Sequence, residues 1–256
     1  MNTQTMTDIE VITVTPTRDF AIINELANHP DIAPHIKDDS SDAPIDASVL
    51  NHKANIFLLV RINGRPEGFA IFMGRGVSTY EMHSGITKGH RGATALEAAR
   101  QALEWIFTNT EAEMVSTWAW SAARNVIMMA RWLGFNEDMR VAWPNTVGGE
   151  KVDKIIFSMS LMEWARKYRE RFESDGWKLQ SLTGAEQGKG ILGIFARIAL
   201  GGNLAKAQYF FNRWAVVYGL IPVQVLDFRA GSFCVVAGAN TFEISPDLSI
   251  SKIEGN

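Results

Sequence analysis

Two groups of residues have the types and spacing to do chemistry. Glu81 and His83 lie in the stretch YEMHSGI, which alternates like a strand, so both side chains share one face of a sheet. A carboxylate beside an imidazole can take a proton from an amine, and both residues are candidate bases; each also fits a structural role. The second group follows at once. Ile86 precedes a turn, Gly89-His90-Arg91-Gly92-Ala93-Thr94, that opens directly into the amphipathic stretch EAARQALEWIF. Amides at a helix start point towards one place, and the helix dipole adds partial positive charge, so Ile86 and residues 89–94 form a candidate cradle for a phosphate or pyrophosphate. His90 and Arg91 add side-chain donors. Thr94 and Glu97 have capping-box spacing, which sets the helix's own cap in competition with a bound anion. Trp118, Trp120, Trp132 and Trp143 fit either a substrate pocket or the core. His29, His35, His52, His83 and His90 form no i, i+4 pair, and no metal site is expected.

Several elements must position these groups. Val11 to Val14 alternates as a strand, and AIINELANHP reads as a helix stopped before Pro30. Asp31 to Val49, rich in Pro, Asp and Ser, is expected to be irregular or to hold short helices, with Asp38, Asp39 and Asp42 forming a solvated face. Two apolar runs, Asn55 to Ile62 and Glu67 to Met73, join across Asn63-Gly64, a type I′ hairpin signal. After the strand Tyr80 to Thr87 and the turn comes a helix with Leu96, Ala99, Leu103, Ile106 and Phe107 on one face. Next are a strand at Met114 to Trp120, a helix closed by Gly134, and a strand pair, Arg140 to Trp143 with Lys154 to Met159, across a loop from Pro144 to Lys151. Ser160 and Glu163 read as a capping box starting LMEWARKYRERF.

Composition bounds the function. The chain has 256 residues, a net charge of −3 and a pI near 6.0. It therefore has no global basic field for nucleic acid or an anionic membrane. One cysteine, Cys234, excludes an intrachain disulfide and a cysteine-cluster zinc site, and a buried strand position is expected for it. MNTQTMTDIE lacks the pattern of a secretory signal, so synthesis in the cytoplasm is expected. Beyond about residue 176 the chain becomes glycine-rich and charge-poor. Residues 1–175 are read as one domain and 176–256 as an appendage of helices followed by short strands at 223–227, 232–237 and 241–244. Neither Ile191 to Leu200 nor Leu204 to Tyr218 is long and apolar enough to span a membrane.

The order of these elements, with HSGI before the turn, EAARQALEWIF after it, then ARWLGF and IIFSMSLMEW, resembles the GNAT acetyltransferase superfamily over roughly Ile9 to Tyr168. The wording is most similar to GNAT-type proteins encoded by bacteriophages. The resemblance implies an α/β (mixed α+β) fold, with a central mixed sheet, flanking helices and here a small C-terminal α+β appendage. It also implies acetyl-CoA as cofactor, held by Ile86 and residues 89–94. Two departures stand out. Gly89 and Thr94 replace the Gln or Arg and the Gly or Ala of the family's loop, leaving Gly92 as the match. Ala130 stands where many members place the tyrosine that protonates the leaving thiolate.

Two readings follow. One is a phage-type virion component, structural or packaged, whose acetyl-CoA chemistry is weakened or lost. It would contact virion proteins, in an oligomer or otherwise, through residues 184–244, rich in aromatics such as Tyr209, Phe210, Phe211, Trp214, Tyr218, Phe228, Phe233 and Phe242. The other is an active acetyl-CoA-dependent N-acetyltransferase acting on a small amine or a protein amino group. A sensor that binds acyl-CoA without turnover is a third.

Overall fold

The structure is a computed structural model describing residues 10–37, 39–40, 43–142, 146–174, 198, 203–209, 223–229, 232–237, 240–244 and 250–253. The expected boundary at 175/176, Trp143, Asp38, Asp42 and the apolar stretch 191–200 apart from Ile198 lie outside the described residues, as do the side chains of Phe210, Phe211, Trp214, Tyr218, Phe228, Phe233 and Phe242. The chain divides into two compact units, one of Met1–Glu104 with Met114–Met159, the other of Trp105–Glu113 with Ser160–Asn256.

In chain order the elements are β1 (Ile12–Pro16), α1 (Phe20–Ala27), α2 (Ala33–Ile36), β2 (Ile56–Ile62), β3 (Arg65–Gly74), β4 (Thr79–Ile86), α3 (Ala93–Asn109), β5 (Met114–Trp120), α4 (Arg124–Leu133), β6 (Asn136–Val141), β7 (Thr146–Val147), β8 (Glu150–Lys151), β9 (Lys154–Ser160) and α5 (Leu161–Ser174). They are followed by β10 (Val223–Arg229), β11 (Ser232–Ala237), β12 (Asn240–Ile244) and β13 (Ile250–Ile253). The large sheet has the order β1-β2-β3-β4-β5-β9-β6 and is mixed, since β4 and β5 run parallel while β1 to β4 form an antiparallel meander. This is the mixed α/β architecture that the sequence implies.

Local chemistry explains the turns. Asn63 and Gly64 have φ of 50° and 81°, the two positive values a type I′ hairpin needs. Gly134 closes α4 at φ 96°, where a side chain would strain the backbone. Alternation in β2 then covers both faces of the sheet. Phe57 and Leu59 pack with Ile23, Leu26 and Ala27 of α1, whereas Val60 and Ile62 pack with Ala98 of α3. The backbones of β3 and β4 meet closely at Gly68, where an added Cβ would lie 2.6 Å from the Gly85 carbonyl oxygen. Gly68→Ala is therefore expected to cost about 1–3 kcal/mol, because backbone, unlike a flexible side chain, cannot swing aside. Gly76→Ala, whose Cβ meets nothing within 4 Å, should leave the urea midpoint almost unchanged.

Three expectations are corrected. The loop from Pro144 to Lys151 contains the β7–β8 hairpin, whose turn amides at Gly148 and Gly149 donate to Asp39 at 3.1 and 3.0 Å. Asp39 is exposed, as the solvated face requires, and in addition brackets this hairpin. The partner of β9 is the strand Asn136–Val141, which begins four residues before Arg140. Thr94 stands inside α3, and its hydroxyl donates to Glu10.

In the second unit, Phe107 packs on Trp164 with ring centroids 5.3 Å apart, and Trp164 in turn meets Tyr168. Ser160 and Glu163 form the expected capping box: the Ser160 amide donates to the Glu163 carboxylate at 2.8 Å and the Glu163 amide to Ser160 Oγ at 3.2 Å. Strands β10 to β13 make a separate four-stranded antiparallel sheet. The first three were expected from turn signals, and β13 is an addition. Cys234 is buried on β11. No helix among the described residues is long and apolar enough to cross a membrane, and no group of three or more described His, Cys, Asp or Glu residues can hold a metal ion.

Candidate functional site

The site lies where β4 and β5 part. Their ladder runs from Thr79↔Met114 to Glu81↔Ser116 and stops, although β4 continues to Ile86 and β5 to Trp120. Past that point side chains take over: Thr117 Oγ1 donates to the Met82 carbonyl at 2.9 Å. A parallel pair whose ladder ends midway leaves carbonyl and amide edges available to an extended ligand.

Glu81 and His83 sit at this opening. Their cross-strand partners on β3, Met73 and Ile71, place them on the α1 face of the sheet. The two side chains meet, with His83 Nε2 2.6 Å from Glu81 Oε1. Arg75, in the turn before β4, donates twice to the same carboxylate at 3.1 Å, and the Trp118 indole N–H reaches it at 3.3 Å. The hydrogen bond from His83, reinforced by those from Arg75, holds the Glu81 carboxyl down to about 2, against the pull of burial. Glu81 is therefore ionised at neutral pH and only accepts. It follows that His83 Nε2 is the nitrogen that donates to Glu81, so that in the neutral ring Nδ1 is the one left with a lone pair.

Aromatic rings frame the pair. His83 meets Trp118 edge to face at 5.6 Å, Trp118 meets Trp120 at 4.9 Å, and the Lys154 ammonium lies 4.4 Å from the Trp118 ring centroid. Of the four tryptophans read as pocket candidates, Trp118 and Trp120 join the site. Trp132 stands on α4 with 56% of its surface exposed.

The turn after β4 is ordered by carboxylates. Ile86 ends β4, and Gly89 sits in a short 3-10 turn, Lys88–His90. Gly92 has φ 81° with nothing within 4 Å of an added Cβ, and Ala93 is the first residue of α3. His90 Nδ1 lies 2.9 Å from Glu10, and the Thr94 hydroxyl donates to the other oxygen of that carboxylate. Glu67 accepts from Thr87 at 2.7 Å and lies 3.8 Å from His90 Nε2. The Lys88 amide donates to the Asp31 carboxylate at 2.9 Å, and Arg91 donates to the Asp31 carbonyl at 2.6 Å. Sequence reading brought Glu81 with His83 and residue 86 with residues 89–94, and missed Arg75, Lys154, Glu10, Glu67 and Asp31. Arg75 was within reach of inference, because it closes the hairpin that leads into β4; nothing local marks Glu10.

No family model and no curated protein matches this chain. Solved structures do. The spermidine N-acetyltransferase from Vibrio cholerae, in complex with CoA and spermine, superposes with a TM-score of 0.53 at 15% identity, over 60% of this chain and 97% of that one. Mutant forms of the spermidine/spermine N-acetyltransferase from the same organism give 0.51 at 14%, over 61% and 97%. The fold is that of the GNAT acetyltransferases. At such identity the likeness establishes architecture alone, and the chemistry must come from the residues.

Proposed function

We propose that the chain is an acyl-CoA-dependent N-acyltransferase in which His83 is the base. The observation that carries this reading is the Glu81–His83 pair, in which Nε2 is engaged by Glu81, at the point where β4 and β5 separate. The cofactor, when bound, supplies an acyl group activated as a thioester. Residues 89–94, with Gly92 open and α3 starting at Ala93, would hold its pyrophosphate. His83 Nδ1 takes the proton that an ammonium acceptor must lose before its nitrogen can attack. Glu81 holds the ring in the required tautomer and stabilises the imidazolium, while Arg75 keeps Glu81 charged. Ala130 is buried on α4 and brings no hydroxyl. The alternative, a phage virion scaffold, would leave the pair as a structural ion pair with Arg75.

Titration calorimetry with acetyl-CoA tests the reading, with Gly92→Glu as control. Binding should fall at least about tenfold in the variant, which forces a side chain into φ 81° and adds a negative charge to the cradle. A folded wild-type protein that binds no acyl-CoA would sink the transferase and favour the scaffold. Spermidine and spermine, named with the similar Vibrio enzyme, belong in the first acceptor panel beside amino acids and N-terminal peptides.

A further inference from the structure

The anion cradle already holds an anion supplied by the chain. The two oxygens of Glu10 are engaged by two side chains of the turn, His90 Nδ1 at 2.9 Å and the Thr94 hydroxyl. These residues are 80 and 84 positions away in sequence, so the contact is a product of the fold. Both loop residues are donors that a pyrophosphate would call on, and Thr94 sits in the first turn of α3, where the helix end favours negative charge. Hydrogen bonding by Thr94, then by His90, lowers the Glu10 carboxyl below its ordinary value, so it is charged at neutral pH. Glu10 remains about one-third exposed and has a route to solvent.

We propose that Glu10 is a built-in competitor for the pyrophosphate, an autoinhibitory carboxylate that must leave His90 and Thr94 before an acyl-CoA can seat. This rests on the acyltransferase reading. Glu10, Glu67 and Asp31 together bring three carboxylates to the turn, against Lys88, Arg91 and, when protonated, His90. Glu67 and Asp31 engage the flanks, at Thr87 and the Lys88 amide; Glu10 engages the donors nearest α3. Removing its charge therefore relieves repulsion and weakens its hold on both donors, and removing the side chain frees them, whereas a carboxylate that merely braced the loop would be missed.

The test is calorimetry on the full chain with two probes, CoA and pantetheine, which lacks the phosphates. Glu10→Gln keeps an oxygen for Thr94 and His90 but drops the charge, and Glu10→Ala in parallel keeps the test decisive if the first variant does not fold. CoA binding should tighten by about tenfold or more, while pantetheine binding stays within about twofold. Unchanged or weaker CoA binding, beside a wild type that binds CoA, overturns the competitor and leaves the transferase standing. Folded proteins of which none binds CoA overturn both.

Discussion

Replacing His83 by Gln should slow acyl transfer by roughly 10²–10⁴-fold, the usual contribution of a positioned base, with the affinity for acyl-CoA little changed. Gln retains a donor for Glu81 and a similar volume, so the loss reports the missing lone pair rather than a collapsed site. Added imidazole separates the two: it should restore part of the variant's turnover if the lone pair is what was lost. Glu81→Gln should cost less, about tenfold, because the ring is then misoriented but still present. Equal rates for wild type and His83→Gln across pH would remove His83 from the mechanism and leave the pair as a structural ion pair.

The second large effect is on stability. Lys206 is buried, and its ammonium donates to three carbonyls, of Phe107 at 2.9 Å, Thr110 at 2.6 Å and Ala112 at 2.7 Å. It satisfies the Phe107 carbonyl in the last turn of α3, where the helix dipole favours a cation, and the Thr110 and Ala112 carbonyls just beyond it. Lys206→Met keeps the volume and strands these acceptors, at an expected cost of about 2–4 kcal/mol after the relief of burying a charge is credited. Burial pushes the Lys206 ammonium down to about 8, with Glu111 and Glu113 pulling the other way. Its folded pKa lies below the ordinary 10.5, so the unfolded chain binds more protons in that interval. Wild-type stability should then rise between pH 8 and 10.5, a trend absent from Lys206→Met. Denaturant melts at pH 7 and pH 10 check both the loss and its slope; an unaltered midpoint at pH 7 would show that water serves the carbonyls equally well.

Most of the fold was legible because its signals are local. Asn63-Gly64, Gly134 and the Ser160–Glu163 box each encode a turn or cap within a few residues, and the alternation of β2 and β4 assigns side chains to faces. Glu81 and His83 could be paired for the same reason, being two residues apart on one strand. Thr94 was misread because capping-box spacing is a local pattern, and a long-range partner, Glu10, took its hydroxyl instead. The short β7–β8 hairpin escaped because two-residue strands carry no periodicity, although Gly148-Gly149 marks its turn.

One consequence concerns how such a chain can be divided or inherited. The segment Trp105–Glu113 belongs with Ser160–Asn256, yet it is encoded between two stretches of the other unit. A single cut anywhere in the gene leaves one fragment carrying part of its neighbour's core, including Phe107, which packs on Trp164. The units are therefore interleaved in sequence, and simple end-to-end fusion or loss of a module cannot exchange one for another. A deletion that removed the chain after Met159 would orphan the Phe107 ring, and selection would have to replace its cover in the same step.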